Sequence, residues 1–179
     1  MDTPLNIVYY PDPRLKKISR PVTVFDQKLT DLVAQMFDLM REAKGVGLAA
    51  PQVGHNIRLF VMNHDGDPAH DRVYINPQLS DADGDAEDEE GCLSLPKINV
   101  DVLRSDTIRI HAHDITGQPF EQTETGYLAR IWQHEIDHLN GILLTDRMGP
   151  VAKMRYRKVL RDLEEKYAEQ ATKRKKKLF

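Results

Sequence analysis

Apolar residues recur at helical spacing in three parts of the chain and at strand spacing between them. Leu29, Leu32, Val33, Met36, Phe37 and Met40 repeat at i, i+3 and i+4, the stripe of a helix with one buried face. Asp26 is a good N-cap, so the spacing predicts a helix from Asp26 to about Ala43, ended by Gly45. "IRLFVM" (57–62) and "VYIN" (73–76) are short runs of β-formers and predict strands. "TIRIHAH" (107–113) alternates strictly, with Thr107, Arg109, His111 and His113 on one face, and the Thr116–Gly117 pair after it predicts a hairpin turn. A second helix is expected from about Gly126 to Asn140, with Gly141 as its left-handed cap. Tyr127, Ile131, His134 and His138 share one face of it, and because that face is mostly apolar the histidines should point inward. A last helix should start at Pro150, a favoured first-turn residue, with Tyr156, Leu160, Leu163 and Tyr167 as its stripe. Before residue 26, Pro4, Pro11, Pro13 and Pro21 predict irregular structure.

The order of helix, strands, helix and helix argues for an α+β fold with mostly antiparallel sheets packed around the histidine-bearing helix and an additional C-terminal helix. No repeat and no Pro/Gly-rich linker divides the chain, so a single domain is expected over 1–179, with the C-terminal helix at 150–172 and a basic tail at 173–179. Its net charge of −3 does not suggest DNA binding. One cysteine, Cys92, excludes an internal disulfide and fits a reducing compartment. The start, "MDTPLNIVYYPDPRL", lacks the basic and apolar regions of a signal peptide, and no apolar run is long enough to span a bilayer. A cytoplasmic location with no membrane partner is the expectation.

The chemistry enters with "QHEIDHLNG" (133–141), where His134, Glu135 and His138 form H-E-x-x-H. On a helix both imidazoles reach one metal ion. A third ligand is needed. The extended pattern H-E-x-x-H-x-x-G-x-x-H fails, because Leu144 stands where its last histidine belongs. A downstream carboxylate, Glu164 or Glu165, would make a metalloprotease, although both read better as a solvated face. Cys92 in "EEGCLSLP" is the other candidate; a thiolate and two imidazoles leave one position open, the arrangement of a catalytic metal. "GVGLAAPQVG" (45–54) is no dinucleotide fingerprint, since a helix precedes it and Pro51 follows. Its glycines suit a substrate backbone lying close, and Gln52 offers an amide donor toward a metal. The acidic run "DADGDAEDEE" (81–90) lacks the glycine and bidentate glutamate of a calcium loop and reads as a mobile solvated loop. His55, His64, His70, His111 and His113 receive no role.

Taken in order, "GVGLAAPQ", "EGCLS" and "QHEIDHLNG" resemble the three signature motifs of peptide deformylases. "YPDPRL", "RPV" and "LLTDRM" extend the similarity over about residues 6 to 149. The resemblance implies removal of the formyl group from the N-terminal formyl-methionine of nascent peptides, with release of formate. It implies a divalent metal held by Cys92, His134 and His138, with Fe²⁺ expected in the cell and Zn²⁺, Ni²⁺ or Co²⁺ able to substitute. A divalent ion lowers the pKa of its water. Glu135 can then serve as general base and general acid. The Gln52 amide and the Leu93 backbone N–H can stabilise the developing oxyanion. The backbone of Gly45, Val46 and Gly47 is implied to bind the peptide, and Glu90 with Arg104 to form a supporting ion pair. Asp137 completes H-E-x-D-H, as support or as a surface charge. Asn99, Asp88 and Leu144 depart from common family residues near the peptide path, which bears on side-chain preference rather than chemistry. The basic run "KRKKK" reads as a solvated tail or as a contact with ribosomal RNA. A different class of protein, a non-catalytic binder of metal and ribosomes, would not need Glu135 and Gln52.

Overall fold

The computed structural model describes residues 4–176 in backbone, and side chains as far as residue 173. The elements run α1 (Gln27–Glu42), β1 (Gly47–Ala49), β2 (Leu59–Met62), β3 (Arg72–Asp83), β4 (Ala86–Cys92), β5 (Leu95–Arg104), β6 (Thr107–His113), β7 (Pro119–Thr125), α2 (Gly126–Leu139), α3 (Leu144–Arg147) and α4 (Pro150–Lys176). Five strands form one antiparallel sheet in the order β1-β2-β3-β6-β7, and β4 and β5 form a separate antiparallel pair. The fold is α+β with antiparallel sheets and a C-terminal helix, as the pattern predicts.

Local chemistry explains the ends of the elements. Asp26 caps α1 by accepting from the Leu29 N–H at 3.0 Å. The left-handed residue after α1 is Lys44 (φ 56°) rather than Gly45, whose N–H reaches back to the Met40 carbonyl at 2.9 Å. Gly141 takes φ 71° after α2, as expected, and packs so closely that a β-carbon there would lie 2.5 Å from the Lys16 carbonyl. Gly117 (φ 84°) makes the β6–β7 turn.

The structure departs from the expected pattern in three places. The acidic run 81–90 is not a loop: β3 continues to Asp83, Gly84 turns the chain at φ 65°, and residues from Ala86 pair with β5. Its carboxylates stay in water up to Glu89, but the backbone is committed to a ladder. Tyr127 does not turn into the apolar interior either; it is 56% exposed. The last helix extends to Lys176, past the expected end at 172, so 173–176 continue it and 177–179 lie outside the described residues.

Helix α2 is held between the layers. Ala129, Trp132, Ile136 and Leu139 pack with Phe60, Tyr74 and Ile110 of the large sheet. On the other side, β5 gives Leu95, Ile98, Val100 and Val102 to a core shared with Leu144, Met148 and the stripe of α4. The histidines of α2 are therefore presented to the end of β4.

Candidate metal centre

Cys92 is the last residue of β4, next to a break in the ladder between Gly91 and Cys92. That irregularity turns its thiol toward α2, where Sγ lies 3.3 Å from His138 Nε2. One ligand atom from each of Cys92, His134 and His138 falls within 4.8 Å of the others. His134 Nδ1 is 2.9 Å from Glu90 Oε2, which leaves Nε2 facing the cluster. The buried His138 Nδ1 has no hydrogen-bond partner among the described residues. Two imidazoles and a thiol converging this tightly suit one transition-metal ion, and a carboxylate behind one histidine is the usual orienting partner.

Glu135 is buried beside this trio, and its Oε2 has no partner among the described residues. Burial is the main reason its carboxyl is pushed up to about 7, against the opposing pull of His134 and His138. Burial also works against the Cys92 thiolate, but His138 and His134 outweigh it and bring the thiol down to about 5. His134 is raised well above its ordinary value: burial opposes its charge, and contacts with Cys92 and Glu90 more than restore it.

Glu90 is the hub behind the ligands. Arg104 grips it through two bonds of 2.9 Å, and Arg130 Nη1 donates to the same carboxylate at 2.9 Å. Burial would raise its pKa, but Arg104 and His134 hold it well below the carboxylate range. The expected Glu90–Arg104 pair is present and continues outward: Arg104 Nη1 donates to Asp137 at 2.7 Å, and Asp137 also accepts from Arg147. Asp137 is thus a support under the site, not a free surface charge. Sequence reasoning missed Arg130. Its signal was a cation one turn before His134, between the apolar Ala129, Ile131 and Trp132. Ser94, also missed, accepts from Gln52 Nε2 at 3.2 Å.

The cleft over the trio has a volume of about 380 Å³. Gln52 reaches it with its amide orientation set: Oε1 accepts from the Ala49 N–H at 2.8 Å, and Nε2 lies 3.6 Å from Cys92 Sγ. Leu93 lies in the turn after Cys92 and its side chain covers Gly45, where a β-carbon would meet it at 2.7 Å. Gly45, Val46 and Gly47 form the opposite wall. β1 is an edge strand. The Val46 carbonyl accepts from the Asn63 N–H of the neighbouring strand's end, so alternation turns the backbone groups of Gly47 away from β2, whereas the Gly45 N–H is held by the Met40 carbonyl. Glu89 lines the cleft and is bonded to Asn99, whereas Asp88 faces solvent and Leu144 is in the core. Glu164 and Glu165 are not ligands: Glu164 accepts from Tyr10, Glu165 is paired with Arg161, and neither joins the cluster. Among the described residues no helix is long and apolar enough to cross a membrane.

Residues 4–154 match the family model described as polypeptide deformylase. A peptide deformylase of Chromobacterium violaceum is 43% identical over 160 residues, 89% of this chain and 96% of that protein. The crystal structure of a peptide deformylase from Legionella pneumophila superposes with a TM-score of 0.86 at 43% identity, covering 93% of this chain and 98% of that one. A plant peptide deformylase structure of the 1B type superposes at 0.90 with 42% identity, covering 95% and 94%.

Proposed function

The chain belongs to the polypeptide deformylase family and is a metal-dependent hydrolase that removes the N-terminal formyl group of formyl-methionyl polypeptides; from that premise we propose how its own residues divide the work. The observation that carries the assignment is the buried, unpartnered Glu135 carboxylate oxygen beside the Cys92–His134–His138 trio in an open cleft. Cys92, His134 and His138 would hold a divalent cation, which would supply Lewis acidity and lower the pKa of a water toward neutral.

Glu135 takes the proton of the attacking water and returns it to the leaving amine. Its lone Oε2 is a support for this role, because a carboxylate already bonded to protein would have to give up a partner first. Attack builds negative charge on the formyl oxygen. The Gln52 amide and the Leu93 N–H receive it; the bond from the Ala49 N–H to Oε1 turns the donor end of Gln52 toward Cys92 before any substrate arrives. The extended peptide pairs with the free edge of β1 through Gly47, with the Gly45 carbonyl continuing that edge and Val46 lining the cleft beside them. Glu90, oriented by Arg104 and Arg130, holds the proton on His134 Nδ1 and keeps Nε2 available.

Iron(II) is the resident metal in this reading, with zinc, nickel and cobalt as substitutes; the thiolate–imidazole set accepts all four. The whole chain acts as one cytoplasmic catalytic domain on formylated nascent peptides, and a lone cysteine serving as ligand suits a reducing compartment. The basic segment 173–179 contacts ribosomal RNA, a reading supported by its charge.

Formate release from formyl-Met-Ala-Ser tests the chemistry, with protein purified without oxygen and loaded with Fe²⁺ or Co²⁺, beside Glu135→Ala at equal metal content. Formate from the wild type alone supports the division of roles; formate from both removes Glu135 as the base. Co-sedimentation with ribosomes of the full chain and of a chain ending at residue 172 tests the tail, and equal binding by both excludes it.

A further inference from the structure

Helix α2 presents a second face that the deformylation site does not use. His134 and Glu135 line the cleft, whereas Gln133, Ile136, Asp137 and Asn140 line a separate cavity of about 420 Å³. Its wall carries three guanidinium groups, Arg58, Arg104 and Arg147, against one carboxylate, Asp137. Arg104 and Arg147 both spend donors on Asp137, and Arg104 spends the rest of its fork on Glu90.

Arg58 differs. It is half-buried, and it donates only to neutral oxygens: Asn140 Oδ1 at 2.9 Å and the Pro77 carbonyl at 3.2 Å. Among the described residues it has no carboxylate partner. Burial lowers its pKa, the mark of a charge partly withdrawn from water without an opposite charge to offset the loss. A guanidinium in that position keeps unused donors and an uncompensated charge facing an open cavity. The amide of Asn140 stands at the same wall, and Arg147 is accessible at its rim, with 39% of its side chain exposed.

We propose that this cavity behind the metal-binding helix, between Arg58, Asn140 and Arg147, is a binding site for a phosphate group. A phosphate oxyanion carries the charge that Arg58 lacks and has enough oxygens to take the donors that Arg58 and Arg147 have left together with the Asn140 amide. The site is distinct from the cleft, because the two cavities share no lining residue. The same chemistry is offered by a free phosphate monoester and by the phosphodiester backbone of RNA.

The test is a titration of the zinc-loaded enzyme with inorganic phosphate, followed through the ¹H–¹⁵N resonances of arginine Nε–H and asparagine side-chain amides. Saturable shifts at Arg58 and Asn140, complete below about 10 mM, are expected for a site of modest affinity. Arg58→Gln should weaken binding about tenfold or more, since a charge-assisted bond is lost, with formate release retained. Asn140→Asp supplies Arg58 with a carboxylate and should also abolish phosphate binding while leaving Arg58 in place, so the idea does not hang on one variant. Repeating the titration with a ribonucleoside 5′-monophosphate and with a short single-stranded RNA identifies the source: whichever binds to wild type and is lost in the variants is the natural class. No saturable shift with any of the three, or equal midpoints in wild type and both variants, would overturn the proposal.

Discussion

A β-carbon on Gly47 would lie 2.4 Å from Glu135 Oε1. No side chain fits there, so the glycine that exposes the edge of β1 to the cleft is also the residue that leaves room for the buried carboxylate. Gly47→Ala should push Glu135 out of place without touching Cys92, His134 or His138. The expected result is one bound metal per chain, as in wild type, with kcat reduced by about 10²-fold or more, the usual cost of losing a positioned acid–base group. Metal analysis and formate kinetics on the same preparation check it. A variant with normal kcat and a raised KM would mean that the glycine serves only the peptide backbone.

Glu90 neutralises two buried arginines at once, and its own exposure is 6%. Glu90→Gln keeps the shape and removes the charge. Arg104 retains Asp137, but Arg130 is left with carbonyl oxygens alone, those of Val102 and Ala86. Breaking a buried pair in this way costs about 3–5 kcal/mol. His134 also loses its anionic partner, so metal affinity should fall about 10–100-fold. Chemical denaturation of the metal-free protein reads the first effect and chelator competition reads the second. A variant as stable as wild type would show that the network contributes orientation only.

Much of the fold was legible because its signals were local. Residues 29–40 and 107–113 carry one period each, and Asp26 and Gly141 mark ends by their own chemistry. The β4–β5 pair was not legible. Asp85, Glu87, Asp88 and Glu89 look like a solvated loop, and only the pairing of Glu87 with Leu103 and Glu89 with Asp101 makes a strand of them. Their ladder hydrogen bonds go to the next strand, across the Leu93–Ser94 turn, and an exposed face needs no apolar residues to form them, so no period marks the strand in the sequence. In the site, the residues that carry chemistry stood in ordered motifs, whereas Arg130 and Ser94 act only through what they touch. Tyr127 shows the limit of periodicity: it shares a helical face with His134, but that face opens into the cleft at its start, so a residue on the apolar stripe ends in solvent.

Cys92 and Glu164 separate two kinds of metalloenzyme. Cys92→Ala removes one of the three converging ligands, so the purified protein should lose its metal and its formate release together. Glu164→Ala removes only the acceptor of the Tyr10 hydroxyl, on the inner side of α4. It should keep one metal per chain and normal activity, with a stability loss of about 1 kcal/mol or less, as for a mainly exposed hydrogen bond. Metal retained by Cys92→Ala at the wild-type affinity would remove the thiolate from the ligand set.

Glu135 should make the metal-free protein less stable as the pH rises. Its folded-state pKa of about 7 lies above the ordinary value of 4.5. Between those values the folded chain holds a proton that the unfolded chain has released, so the stability contributed by this group is intact below about pH 4.5 and is lost as the pH climbs to 7. The difference integrates to roughly 3 kcal/mol. Glu135→Gln has no proton to lose and should escape the loss. The variant should match wild type near pH 4 and exceed it by up to about that amount above pH 7, while being unable to act as a base. Urea denaturation of both proteins without metal, across this range, isolates Glu135, because every other side chain is common to the two. Loading zinc should narrow the gap, since a nearby cation favours the carboxylate of the wild type alone. Parallel pH profiles for the two metal-free proteins would show that the carboxyl is not held protonated by its burial, and that its reactivity depends on the metal alone.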